Sequence, residues 1–337
     1  MTNDQRLRNI DFLRAFSILI VMFYHFRPFE GGELFRYGHY GVLLFFMISG
    51  YCIQYSIESS SGPLQFLIKR WVRLLPALLV VSLVIFFLKS MGSSYNLKDH
   101  YQFSLSDLFG MILNLPFIEI PRLVYFFVTG QSWSYAVPDS AFWSLFIEFQ
   151  FYFIQALLML FPRRRAIIWQ TITLIILTLM QIYQIRRFNL IYDVGYFYPY
   201  FIIGIASALK KSNEKWILIL GSISSIAVIL YANIFNDSIP FYFGPSIFVC
   251  LLFFLGIKFA QFFSQWGGWL QTVGIVSYPL YLIHQHIGQK FLNFLNHYSN
   301  PSVLKVLFVV FVLFCFAWLV NRYIENPIQK WIKGRIR

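Results

Sequence analysis

The chain has 337 residues, of which 58% are apolar and only 12% charged, about half the charge of an ordinary soluble domain, and this excludes a water-soluble globule. A net charge of +13 would suggest a nucleic-acid partner in a soluble protein. Here the cations sit in short gaps between apolar runs rather than along one basic, aromatic-interleaved face, so nucleic acid is set aside.

Ten runs of predominantly apolar residues, each long enough to cross roughly 30 Å of hydrocarbon, begin near Ile10, Gly38, Leu74, Phe142, Ala166, Phe197, Trp216, Phe241, Val273 and Val303. The fold class expected is therefore all-α, a polytopic integral membrane protein with about ten transmembrane helices. Forty Phe and 21 Tyr suit such a chain, because amphipathic rings settle at headgroup depth. The polar N-terminal residues lead quickly into an apolar stretch carrying Asp11 and Arg14, which argues against a cleaved signal peptide. Basic residues alternate along the connections. Arg6 and Arg8, then Lys69, Arg70 and Arg73, Arg163 to Arg165, Lys210, Lys211 and Lys215, and finally Arg322, Lys330, Lys333, Arg335 and Arg337 occupy every second one. Together they make up more than half of the 27 lysines and arginines, and they place both termini in the cytoplasm.

The longest connection, 89–141, falls on the outer side, where Pro116, Pro121, Gly130 and Pro138 interrupt it. It is expected to be extracytoplasmic or re-entrant. No Pro/Gly/Ser-rich linker and no repeat of fixed period divides the chain, so 1–337 reads as one membrane domain. Cys52, Cys250 and Cys315 lie inside apolar runs with neither metal-ligand nor disulfide spacing and read as small core residues.

Ionisable side chains within the bilayer cost at least a few kcal/mol and usually mark a pathway or a site. In the first helix Asp11 precedes Arg14 by one turn, so the two can pair and keep the guanidinium charged below the surface. Eleven residues after Arg14 comes His25, which a helix returns to within about 20° of the same face. The bland alternatives are an Arg14 that snorkels to the interface and an interfacial His25 beside Tyr24. Glu148 lies early in the fourth helix at a depth expected to match that of His25, where a carboxylate can orient an imidazole or simply form a structural ion pair. His284 sits mid-span on the ninth helix, as a packing or a functional residue. Arg70 and Arg73, one turn apart at a membrane entry, serve either topology or phosphate binding. There is no Walker loop, no dinucleotide fingerprint, no HExxH and no Gly-x-Ser-x-Gly, so ATP, NAD, zinc and esterase chemistry find no support, and no metal is expected.

Read together, these segments resemble the bacterial acyltransferase 3 family of membrane O-acyltransferases from end to end. The resemblance runs through Asp11-x-x-Arg14 with the spacing to His25, Gly41-Val42 to Phe45-Phe46, Ser49-Gly50-Tyr51 and Arg70-x-x-Arg73-x-x-Pro76. It continues through Trp143-Ser144-Leu145 with Glu148 to Tyr152, Tyr278 to His284, and Glu325-Asn326-Pro327. Phe149 departs from it, standing where the family often has a second acidic residue. An appended esterase-like domain, which some members carry, is not seen either, so the chain looks like a stand-alone short form.

The resemblance implies transfer of an acetyl group from cytoplasmic acetyl-CoA to a hydroxyl of a cell-envelope polysaccharide, whether O-antigen, capsule or exopolysaccharide, at the bacterial inner membrane. It implies His25, Arg14 and Glu148 as the catalytic set and Arg70 and Arg73 as the donor-phosphate site. Asp11, Ser49, Trp143, Ser144, Tyr281 and His284 would support them. Acetyl-CoA is then a substrate, with no permanently bound cofactor, and a glycan or lipid-linked glycan and membrane lipid are the other partners. Direct transfer with His25 as base, an acyl-histidine, and a relay through Ser49 or Ser144 all remain open. The rival class is a proton-coupled transporter or flippase, although no matching pair of broken helices is evident in the two halves.

Overall fold

The computed structural model describes residues 3–28, 35–91, 139–162, 165–183, 189–209, 212–233, 243–264, 268–298, 300 and 302–335. Most of the connection expected at 89–141 lies outside the described residues. Every described element is helical: α1 (Asn3–Phe26), α2 (Gly41–Glu58), α3 (Pro63–Met91), α4 (Trp143–Leu158), α5 (Ala166–Ile182), α6 (Asn189–Ala208), α7 (Ser212–Asn233) and α8 (Phe243–Ser264). These are followed by α9 (Gly268–Ile275), α10 (Ser277–Ile283), α11 (Gln289–Tyr298), α12 (Val303–Val320) and α13 (Asn326–Arg335). Short 3-10 turns precede α2 and α4, and π-helical turns follow α10 and α12.

Five helical stretches are long and apolar enough to cross a membrane: Gly38–Glu58, Pro63–Leu88, Ser140–Leu158, Asn213–Ala232 and Val303–Ile332. Ala166–Ile182, Val194–Ala208 and Phe243–Lys258 are shorter apolar helices. Their outward faces fit lipid. Ile172, Ile175, Ile176 and Leu179 make an exposed stripe along α5, and Leu304, Leu307, Phe308 and Phe311 make another along α12. Stripes at this spacing are costly in water and satisfied by hydrocarbon. The chain is an all-α polytopic membrane protein.

Two compact units share the chain, one of Met1–Leu67 with Gln150–Ser277 and the other of Ile68–Phe149 with Tyr278–Arg337. In the first, glycines decide the packing. A Cβ on Gly50 of α2 would run into the main-chain carbonyl of Phe201 in α6, and one on Gly204 would strike the carbonyl of Met47. The two helices therefore cross backbone against backbone, the contact that small residues permit between membrane helices. Phe46, Phe197, Phe201 and Phe151 close around this crossing, with the Phe151 and Phe201 rings stacked at 4.0 Å.

Helix α1 is gripped in the same way. Gly38 and Gly41 meet the carbonyls of Ile20 and Ser17, Gly256 of α8 faces the Leu13 side chain, and Gly274 of α9 lies on the carbonyl of Asp11. Hydroxyls inside these apolar helices bond back along their own turns, Ser17 to Leu13, Thr178 to Leu174 and Ser207 to Ile203. This satisfies them without a partner from solvent. Between helices, Gln155 of α4, Gln170 of α5 and Tyr198 of α6 form one buried network, in which the Tyr198 hydroxyl donates to Gln170 Oε1 at 2.7 Å.

In the second unit, the Tyr278 hydroxyl donates to the carbonyl of Leu74 at 3.0 Å, two residues before Pro76 interrupts the hydrogen-bond ladder of α3. The stretch expected as an unbroken ninth helix differs from expectation. It runs as α9, a turn at Val276, α10, a π-helical turn over His284–Gly288 and then α11. Pro279, which suits only the first turn of a helix, forces α10 to start afresh at Ser277.

Leu in place of Gly50 or Gly204 is expected to drive α2 from α6 at a cost of about 1–3 kcal/mol or more, whereas Gly334→Ala, with nothing within 4 Å of the added methyl, should gain a few tenths. Size-exclusion profiles after graded heating of detergent-solubilised protein check both outcomes.

Candidate functional site

Within the first unit, α1 is continuous from Asn3 to Phe26, so the eleven-residue step keeps Arg14 and His25 on one face, about 16 Å apart along the axis. Arg14 Nη1 donates to Asp11 Oδ1 at 3.1 Å, with the two side chains 15% and 17% exposed. Its other terminal nitrogen, Nη2, donates to Cys52 Sγ at 3.3 Å. The guanidinium is thereby held at both prongs of its fork, by a carboxylate one turn back and by a thiol from α2. A planar cation anchored this way points along a fixed direction instead of sweeping toward the interface. Ser49 stands half-buried on the same α2, next to the Gly50 crossing.

His25 ends α1. Arg27 follows with φ 45°, a left-handed residue whose N–H closes on the Phe23 carbonyl at 3.0 Å and stops the helix. The His25 ring meets Tyr24 edge-on at 4.9 Å, Tyr24 in turn meets His39 at 5.0 Å, and His39 lies 4.6 Å from Tyr40. His39 and Arg27 are the charged groups that act on His25. A second imidazole thus shares a tyrosine with the first.

Within the second unit, Arg70 and Arg73 are half-buried and lie inside α3 itself, one turn apart and one turn before Pro76. Arg73 acts electrostatically on Glu325, a buried carboxylate that accepts from Asn321 Nδ2 at 2.7 Å. The Arg-x-x-Arg and Glu-Asn-Pro segments are therefore neighbours in the fold. Glu148 is half-buried on α4 and acts on Tyr281, as does Asp139. The Ser144 and Tyr281 hydroxyls lie 2.9 Å apart, and Tyr281 also donates to the Ala141 carbonyl at 3.0 Å. These bonds tie the start of α4 to α10, and Trp143 stands exposed beside them.

His284 is fully buried, its Nδ1 2.6 Å from the Tyr281 carbonyl. A carbonyl only accepts, so the neutral ring carries its proton on Nδ1 and Nε2 is the basic nitrogen. The π-helical turn begins at this residue, and such turns recur where a helix is bent to a task.

The family model for the acyltransferase domain matches residues 7–322. The chain belongs to the acyltransferase 3 family. It is 27% identical to the peptidoglycan O-acetyltransferase OatA of Listeria monocytogenes over 358 residues, covering 96% of this chain and 56% of that protein. It is 33% identical to the putative membrane-bound transacylase BcsY of Komagataeibacter xylinus over 175 residues, covering 50% of this chain and 42% of the other. The chain thus spans about half the length of the curated relatives it matches. No solved structure matches it.

Three groups at these sites escaped the sequence reading. Cys52 had looked like an inert core residue, His39 falls in a short turn before α2, and Asp139 precedes the tryptophan motif. Proximity to Arg14, His25 and α10 comes only from folding. The one local signal is Asp139 itself, three residues before Phe142 in an N-capping position.

Arg14→Met strips a largely buried carboxylate of its cation and is expected to cost about 2–4 kcal/mol, discounted from the loss of a fully buried pair. Adding Asp11→Asn should recover most of that stability. Thermal melting of the two variants in detergent reads the difference.

Proposed function

We propose that this protein is a membrane O-acetyltransferase that moves an acetyl group from cytoplasmic acetyl-CoA to a hydroxyl of a cell-envelope polysaccharide. The observation that carries the proposal is the first helix. It offers a clamped guanidinium and an imidazole on one face, in the spacing by which the chain resembles its family. A glycan acceptor is supported by the relative named for peptidoglycan O-acetylation.

In this reading a ring nitrogen of His25 takes the proton of the sugar hydroxyl as its oxygen attacks the thioester carbonyl. The carbon–sulfur bond breaks, the acetyl group passes to oxygen, and the CoA thiolate leaves with the proton returned by the imidazolium. Arg14 supplies fixed positive charge where negative charge develops, which stabilises a transition state without reorganisation. Arg70 and Arg73 bind the donor phosphates with two guanidiniums on one helical face. Glu148 serves the acceptor or the base. Both termini and the Arg70 end of α3 are assigned to the cytoplasm by the distribution of basic residues, so the donor is met on that side and the acceptor on the other.

His25→Ala in membranes supplied with labelled acetyl-CoA is expected to abolish label transfer to glycan while the protein still inserts. Retained transfer would remove His25 as the base. Replacing both Arg70 and Arg73 with Gln should raise the apparent KM for acetyl-CoA by about tenfold or more, each tenfold equal to about 1.4 kcal/mol of lost donor binding. Initial rates against donor concentration measure it.

A further inference from the structure

At the start of α4 the second unit gathers a set of polar side chains that the proposed transfer chemistry does not use. Asp139 is buried. One carboxylate oxygen accepts from the Ala141 N–H at 2.8 Å, and the other accepts from the His286 N–H at 2.8 Å. A single carboxylate thereby caps the turn that opens α4 and at the same time fixes the π-helical turn after α10. Above it, Gln285 Nε2 donates to Ser140 Oγ at 2.6 Å, in an exposed contact. Ser140 and Trp143 are three residues apart across a 3-10 turn, where such residues lie one over the other, and the Trp143 ring is 38% exposed.

The chemistry of this patch is specific. A carboxamide and a hydroxyl bonded to each other each retain capacity to donate and accept, and a half-exposed imidazole stands on the residue after Gln285. An indole face adjoins them. A sugar ring presents adjacent hydroxyls, each both donor and acceptor, on a rim around an apolar C–H face. Paired amide and hydroxyl groups beside an exposed indole match that combination. Lipid chains match only the indole, and a phosphate would meet the buried Asp139 carboxylate without a lysine or arginine among these residues. None of Asp139, Ser140, Gln285 and His286 lies within the motifs that carry the family resemblance.

We propose that Ser140, Trp143, Gln285 and His286, set in place by Asp139, form a saccharide-binding subsite for the acceptor glycan. The inference rests on the acetyltransferase reading above. Ser140 and Gln285 bind the sugar, and Asp139 is a positioning residue acting through the backbone of both turns.

The test uses full-length protein in native membranes with labelled acetyl-CoA. The acceptor probe is envelope polysaccharide from the same cells, stripped of its O-acetyl groups by mild base and added at increasing concentration. Gln285→Ala and the double variant Ser140→Ala/Gln285→Ala change exposed side chains and leave the Asp139 contacts intact. The expected result is a roughly tenfold rise in apparent KM for the polysaccharide. kcat at saturating polysaccharide and KM for acetyl-CoA should stay within about twofold of wild type. An unchanged polysaccharide KM in the double variant overturns the subsite, as does a fall in kcat that saturating polysaccharide does not restore, since that pattern marks a purely structural role. Wild-type membranes that move no label into glycan would overturn the acetyltransferase reading itself, a result separable from the other two because it appears without any substitution.

Discussion

Hydrocarbon offers no hydrogen-bonding partner, so each polar group carried into the membrane must find its partner inside the protein. This constraint shapes the chain from its first helix. Arg14 is tolerable there because Asp11 and Cys52 take up its two prongs. The hydroxyls of Ser17, Thr178 and Ser207 are tolerable because their own helices supply the acceptors. Gln155, Gln170 and Tyr198 are tolerable because they satisfy one another. The same rule makes the charges informative, since nothing in an apolar bundle calls for a guanidinium unless some use offsets its cost.

Close backbone contact is the second theme. Where water is absent the hydrophobic effect does not press helices together, and shape has to do so. Glycines at 38, 41, 256 and 274 let neighbouring segments approach α1 near Ile20, Ser17, Leu13 and Asp11. The helix bearing Arg14 and His25 is thus among the most tightly seated in its unit. Preorganisation of this kind is what transfer in a water-poor site requires, because a misplaced base would leave the thioester to hydrolysis or to no reaction at all.

Much of the helical plan was legible because apolar runs and their interruptions follow directly from bilayer thickness, and the Asp11 to Arg14 pair could be read because it is local, one turn within one helix. Motif order identified the family for the same reason. What could not be read is what folding brings together from distant segments, such as Cys52 beside Arg14, His39 sharing Tyr24 with His25, and Glu325 within reach of Arg73. Breaks in regularity were also hidden. Pro279 hinted at the restart of α10, but no residue type announces a π-helical turn, which depends on where the carbonyls of the previous turn find their donors.

The π-helical turn over His284–Gly288 has a further consequence, one of length rather than chemistry. It holds one residue more than an α-helical turn, and each residue of a helix advances the direction of its side chains by about 100°. Losing a single residue there would let the segment relax to an ordinary α-helix and turn the whole of α11 by that angle, exchanging the face it shows to α12 for another. The count of residues between Tyr281 and Gln289 is therefore as constrained as their identities, and an insertion or deletion in this stretch would be read by the protein as a rotation.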